Sequence, residues 1–255
     1  MPYHDYARWR STPNDGHPTL SVVIPTYNEA DRLLPTIAAI CAHVPGLGVS
    51  WELIVADSAS TDGTPELVTG LGMRNTTVLR SSGRDGKGAG VARGVLAARG
   101  DYILFADADG STPITALDGF LATIRSGAAD VVIASRAHLT DEANRNGLRR
   151  LLSAGLRWIT GATLRLGVSD SQCGFKLFRR DVARRVFARQ TLTGFSFDLE
   201  ALFVARRLGA TISEVPVNWV DAPGSKVEPL AEVMRFLRAI FSIRRNDFAG
   251  AYARG

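Results

Sequence analysis

Short apolar runs alternate with helical stretches along most of the chain. LSVVI (20–24), ELIVA (52–56), TTVL (76–79), YILFA (102–106) and DVVIA (130–134) are β-branched or aromatic and apolar nearly throughout. That is the pattern of strands covered on both faces. Between them, 30–42, 64–72, 87–99 and 115–126 carry helical spacing and good helix formers. Thr64 followed by Pro65 and Glu66 reads as an N-cap with proline at the first helical position. Four strand–helix units imply right-handed crossovers and an α/β fold with a mostly parallel central sheet and helices on both faces. Beyond residue 140 the rhythm changes. A basic, apolar stretch (144–166) leads into DSQCGFKLFRRDV, a helix over about 198–208, a strand TISEVPV, a loop and a final helix. The expected organisation is a flexible leader over 1–18 and one domain over 19–250, with a nucleotide half (about 19–135) and an acceptor half (about 136–250).

Composition narrows the partners. The chain has 255 residues, 45% hydrophobic and 22% charged, which suits an ordered globular protein. A formal charge of +5 favours an anionic partner. Two cysteines, Cys41 and Cys173, make neither a disulfide framework nor a metal motif, so a reducing, cytoplasmic setting is expected. No apolar run approaches the roughly 20 residues of a spanning helix, so any membrane contact is expected to be peripheral.

In a parallel sheet, ligands bind outside the carboxyl ends of the strands. Four polar clusters end successive strands: PTYNEADR, DSASTDGT, SSGRDGKG and DADGST. Within the last, Asp107 and Asp109 stand two apart. Adjacent carboxylates repel unless a cation compensates, and all-oxygen ligation suits Mg²⁺ or Mn²⁺ with positions left for phosphate oxygens. The alternative is a turn that simply ends the strand. Asp57 follows its strand directly and is placed to accept from a base or ribose, whereas Asp62 reads as loop and capping chemistry. Neither a complete P-loop nor a dinucleotide fingerprint is present, since IPTYNE stands where the latter would begin. Gly86 and Gly88 read as sites of close helix packing. Arg84 and Lys87 either face an anion or are solvated surface.

Farther along, Asp198 is either a helix N-cap or, facing the cleft, a general base; Glu200 has no assigned role. Lys226 lies in a Gly/Pro-rich loop suited to a cation closing over a diphosphate. The last helix places Leu230, Val233, Met234, Leu237, Ile240 and Phe241 on one face, and Glu232, Arg235, Arg238 and Ser242 on another. It reads as docked on the core. With Arg244, Arg245 and the earlier Arg149, Arg150, Arg157 and Arg165, it also fits an interfacial membrane surface. No nucleic-acid module is present, and acidic strand ends would oppose a phosphate backbone.

SVVIPTYNEADRL, VADSASTDGT, GKGAGVARGVLAARGDYILFADADGST, DSQCGFKLFRR, FSFDLEALFVARRLG and EVPVNWVDAPGSKVEP resemble, in order and spacing, the family 2 glycosyltransferases. The likeness runs from residue 20 to about 243 and is greatest to the dolichyl-phosphate β-glucosyltransferases and bacterial polyprenyl-phosphate relatives. The resemblance implies the Rossmann-like GT-A fold and inverting transfer of a hexose from a nucleotide sugar, with a divalent cation at D-x-D. UDP-glucose is the favoured donor and GDP-mannose the next. It implies that Pro25, Tyr27 and Glu29 line the nucleotide pocket and that Asp57 meets the base. Asp107 would contact nucleotide or sugar and share the metal with Asp109, while Gln172 and Lys226 would lie near sugar and phosphates. Asp198 falls where inverting members keep a base or an acceptor-orienting carboxylate.

Two departures stand out. The usual aspartate pair after the second strand is here Ala56-Asp57, and the N-terminal membrane helix of the eukaryotic glucosyltransferases has no counterpart in this sequence. The expected partners are a nucleotide sugar, a polyprenyl-phosphate acceptor and a membrane surface in the cell envelope, with a homo-oligomer left open. Transfer to a soluble hydroxyl acceptor is the alternative. A non-catalytic nucleotide-sugar binder would be expected to lack a metal ligand or base, yet Asp109 and Asp198 are both present.

Overall fold

The computed structural model describes residues 16–136, 160–161, 163–219 and 229–253. Residues 1–15 of the expected leader, Arg149, Arg150, Arg157 and Lys226 lie outside them. His17 is tied to the residue that precedes the fourth strand, its imidazole 2.8 Å from Asp101, and Pro18 is buried.

The strands are β1 (Leu20–Thr26), β2 (Trp51–Asp57), β3 (Thr76–Arg80), β4 (Tyr102–Ala106), β5 (Val131–Ser135), β6 (Phe175–Arg179) and β7 (Ile212–Pro216). They form one sheet in the order β3-β2-β1-β4-β6-β5-β7. β6 runs antiparallel to both neighbours, and every other pairing is parallel. The helices are α1 (Ala30–His43), α2 (Thr64–Gly70), α3 (Lys87–Ala97), α4 (Leu117–Arg125), α5 (Arg180–Phe187), α6 (Phe197–Arg207) and α7 (Pro229–Phe248). The expected strands and helices are present within a few residues. β6 and α5 are additions within FKLFRRDVARRVF, where a five-residue strand runs straight into a short helix and neither is long enough to read by periodicity.

Each face of the sheet has its own core. Val22, Ile24, Leu53, Val55 and Leu104 pack against Leu33, Ile37, Phe120 and Ile124 of α1 and α4. Val23, Ile54, Ile103 and Phe105 pack the other way, against Val91 and Val95 of α3 and Leu199 and Leu202 of α6. Alternation along each strand divides its side chains between the layers, which is why the strands are apolar at nearly every position. Close packing also explains the glycines at the start of α3. A Cβ on Gly88 would fall 2.6 Å from the Phe197 Cβ, and one on Gly86 would fall 2.5 Å from the Thr193 carbonyl oxygen.

Two local expectations are corrected. The N-cap of α2 is Gly63, at φ +85°, and Thr64 is the first helical residue; Asp62 accepts from the Thr64 and Ala30 N–H groups, tying α2 to α1. α7 does dock on the core, but through Ala239, Ile240 and Ile243. Met234 and Phe241, expected on the docked face, are exposed, as is Phe248.

Candidate active site

The parallel strands deliver the loops after β1, β2, β3 and β4 to one edge, as strand direction requires. Antiparallel β6 brings its beginning, residues 172–174, to that same edge, and the start of α6 joins it there. The site is therefore built from both halves of the chain on one sheet.

At its centre the β4–β6 ladder continues one residue past Ala106, the Asp107 N–H donating to the Gly174 carbonyl at 3.0 Å. The Asp107 carboxylate lies directly over Gly174: an added Cβ there would fall 1.9 Å from Asp107 Oδ2. Lys87, the first residue of α3, holds the other side of that carboxylate, with Nζ 2.7 Å from Asp107 Oδ1. Burial pulls the Lys87 ammonium down, but the charges of Asp107 and Asp198, helped by Asp109, outweigh it and hold its pKa above the ordinary value. Asp109 is partly exposed, and one of its oxygens accepts from the Ser111 N–H at 3.0 Å. Glu29 completes this acidic corner. Its pKa is raised mainly by burial, with Asp109 and Asp107 adding to the effect and Arg32 opposing it.

A divalent cation here would have two carboxylates from the chain, and among the described residues no cluster of three or more metal-binding side chains exists. Two hard oxygen donors fit Mg²⁺ or Mn²⁺ shared with substrate phosphates and water, and do not fit a closed structural site.

Asp198 sits elsewhere than a cleft-facing base would. It is buried in the first turn of α6 behind the N-cap Ser196, and its carboxylate is bound by the Lys176 ammonium. Burial pushes its pKa up while Lys176 and Lys87 pull it down, and the net direction is upward. Asp57 is also fully buried. Its oxygens accept from the Thr26 hydroxyl and from the Ser60 N–H and hydroxyl, which fastens the end of β1 to the loop after β2. The structure thus places Asp57 beneath the loops that follow β1 and β2.

The remaining expected residues line the rim or lie under it. Arg84 stacks over the Tyr27 ring at 4.2 Å, and both are exposed, while Pro25 is buried within β1. Gln172 is exposed, its backbone N–H donating to Asp170 Oδ1 at 3.3 Å. Glu200, left open by the sequence, is a buried anchor that accepts from the Thr191 and Leu192 N–H groups and the Tyr252 hydroxyl.

Three features of the site leave little trace in the sequence pattern. Arg136, just past β5, makes a two-pronged contact with Asp170 at 2.7 and 3.0 Å and lies 5.3 Å from the Trp219 ring. Phe195 is exposed with its ring 5.8 Å from the Lys87 ammonium. Lys176 is only 1% exposed, in the middle of β6. The lysine was detectable: a charge inside the apolar run GFKLF is costly to bury without a partner.

Residues 21–187 match the family model described as Glycosyl transferase family 2. The chain belongs to that family. It is 35% identical over 248 residues to a dolichyl-phosphate beta-glucosyltransferase of Dictyostelium discoideum, covering 91% of this chain and 76% of that protein. The human protein of the same name is 32% identical over 249 residues, covering 91% and 77%. Among solved structures, mannosyl-3-phosphoglycerate synthase from Rubrobacter xylanophilus superposes with a TM-score of 0.68 at 20% identity, covering all of this chain and 80% of that one. Glucosyl-3-phosphoglycerate synthase from Mycobacterium tuberculosis, in complex with Mn²⁺, UDP and glucosyl-3-phosphoglycerate, gives 0.66 at 21% identity, covering 95% and 84%. At these identities the structural likeness bears on the fold, and it bears out the α/β GT-A architecture. This glycosyltransferase has, among its described residues, no helix long and apolar enough to cross a membrane.

Proposed function

We propose that this glycosyltransferase moves glucose from UDP-glucose to a polyprenyl phosphate with inversion, using Mg²⁺ or Mn²⁺ at Asp109 and Asp107. The likeness to dolichyl-phosphate beta-glucosyltransferases over nine-tenths of the chain carries this reading of sugar and acceptor. The burial of Asp198 supports it independently. A hydroxyl acceptor needs a base within reach of its proton, and the candidate base is held under the floor by Lys176. A phosphate acceptor is already anionic at neutral pH and needs no proton removed.

In this reading residues 19–135 bind the donor and 136–250 the acceptor. Tyr27 and Arg84 form one wall for the nucleotide, Glu29 borders the acidic corner, and Asp57 shapes the base pocket through the loop it anchors. Lys87 leaves Asp107 for the diphosphate as the donor enters. Phe195 and Gln172 face the sugar. A bound cation neutralises the charge that develops on the departing diphosphate. The enzyme works at the cytoplasmic face of a membrane, where its lipid acceptor resides. α7 supports such a placement: Met234, Phe241 and Phe248 recur every seven residues on the side away from the buried Ile240 and Ile243, flanked by exposed Arg235 and Arg238.

The deciding experiment incubates the full chain and either metal with UDP-glucose or GDP-mannose. Each donor is offered to a short polyprenyl phosphate and to a panel of soluble hydroxyl compounds, with products read by mass spectrometry. Glucosyl polyprenyl phosphate is the expected product. Transfer confined to hydroxyl compounds would overturn the acceptor, and transfer confined to GDP-mannose would overturn the donor.

A further inference from the structure

Lys176 is the most deeply buried cation described, and the transfer chemistry has no use for it. Its neighbours on β6, Phe175, Leu177 and Phe178, are core residues. Its side chain curls back so that Nζ donates to the carbonyl of Cys173 at 2.6 Å and to the Asp198 carboxylate. The Phe105 ring lies 5.6 Å from Nζ, and the Lys87 ammonium is at the same distance from that ring. Four charges of alternating sign thus run through the floor of the site: Asp107, Lys87, Asp198 and Lys176.

Stability alone does not account for such a pair. Replacing a buried ion pair with apolar side chains of similar volume is often neutral or stabilising, because desolvation offsets the attraction between the charges. What the pair does is hold a turn. The Cys173 carbonyl fixed by Lys176 belongs to the residue before Gly174, and Gly174 carries Asp107 in two ways. Its carbonyl accepts the Asp107 N–H, and its bare Cα is the surface on which the Asp107 carboxylate rests.

We propose that Lys176 and Asp198 are positioning residues for Asp107, fixing the Cys173–Gly174 turn so that this carboxylate is set before a cation or donor arrives. Asp198 is then a positioning residue in place of a base. The proposal rests on reading Asp107 as part of the metal and donor site. It extends that reading to two residues that touch neither ligand.

The test compares the wild type with Lys176→Met/Asp198→Leu and with Asp198→Asn, which keeps the shape and removes the charge. Three quantities are read: thermal melting, Mn²⁺ affinity from the paramagnetic resonance of free Mn²⁺ without donor, and amide hydrogen exchange across residues 105–109. The apolar double variant is expected to melt at or above the wild type. Its Mn²⁺ affinity should fall about tenfold or more, the scale of lost support behind a metal ligand. Exchange at residues 105–109 should quicken, with Asp198→Asn showing a smaller change of the same sign. A merely structural pair predicts that the double variant restores all three quantities. Wild-type exchange across 105–109 in whichever variant folds would overturn the proposal. Should the wild type itself fail to bind Mn²⁺, the metal reading falls, while the exchange data still decide whether the pair positions Asp107.

Discussion

The Lys87 ammonium and the Asp107 carboxylate stand 2.7 Å apart, joining the start of α3 to the end of β4 across the floor of the cleft. The lysine thus pairs with the carboxylate that a metal ion would share in the proposed site. Lys87→Met should therefore act in opposite directions on the two ligands. Mn²⁺ alone should bind as tightly as in the wild type or more tightly, because a competing cation has gone. UDP-glucose should bind about tenfold or more weakly, with KM raised to match, the scale of one charge-assisted contact to phosphate. Calorimetry with each ligand separately distinguishes these effects, and equal losses in both would contradict the competition.

Asp109 accepts a hydrogen bond from its own turn but has no ion pair with Lys87, so its truncation should leave the fold intact. Asp109→Ala is expected to lower transfer by about two orders of magnitude or more, since neutralising the departing diphosphate is worth several kcal/mol. Circular dichroism should be unchanged. Retained activity in a folded Asp109→Ala protein would remove the metal role from this residue.

The Tyr252 hydroxyl donates to Glu200, which also gathers the Thr191 and Leu192 N–H groups. Burial, and then this bond, push the phenol up to about 12. Because the unfolded phenol titrates near 10, the folded state favours the protonated form. Its contribution to stability is complete below about pH 10 and is lost as pH rises toward 12. Tyr252→Phe should melt below the wild type at pH 8, and the gap should close between pH 10 and 12. A gap that stays constant with pH would show that the phenolic proton is not what stabilises this contact.

α7 turns its apolar stripe away from the core, with Phe241 70% and Phe248 98% exposed. Sedimentation with vesicles should recover the wild type on anionic phosphatidylglycerol vesicles and much less on phosphatidylcholine. Changing Met234, Phe241 and Phe248 together to Ser should abolish binding while leaving circular dichroism unchanged. Arg235→Gln with Arg238→Gln should remove mainly the salt-sensitive part. A wild-type protein that ignores both vesicles would sink the membrane placement.

The sequence by itself determined the layered α/β plan, because strands buried on both faces must be apolar at nearly every position, and LSVVI, ELIVA and YILFA are. It also located the edge where the polar loops gather, since parallel strands end together, and it singled out Asp107 and Asp109 there. Tertiary structure decided which polar residues of those motifs reach the cleft. Asp57 and Asp198 sit in motifs as suggestive as that of Asp109, yet the packing of the β2 loop and of α6 seals both beneath the surface. Antiparallel β6 was hidden for a similar reason: its direction is set by pairing with β4 and β5, which no local pattern records. Local sequence fixes the period of burial and the chemical character of a turn. Whether a carboxylate meets a ligand or a buried lysine depends on which distant element packs against it, as the Lys176–Asp198 pair joins β6 to the start of α6.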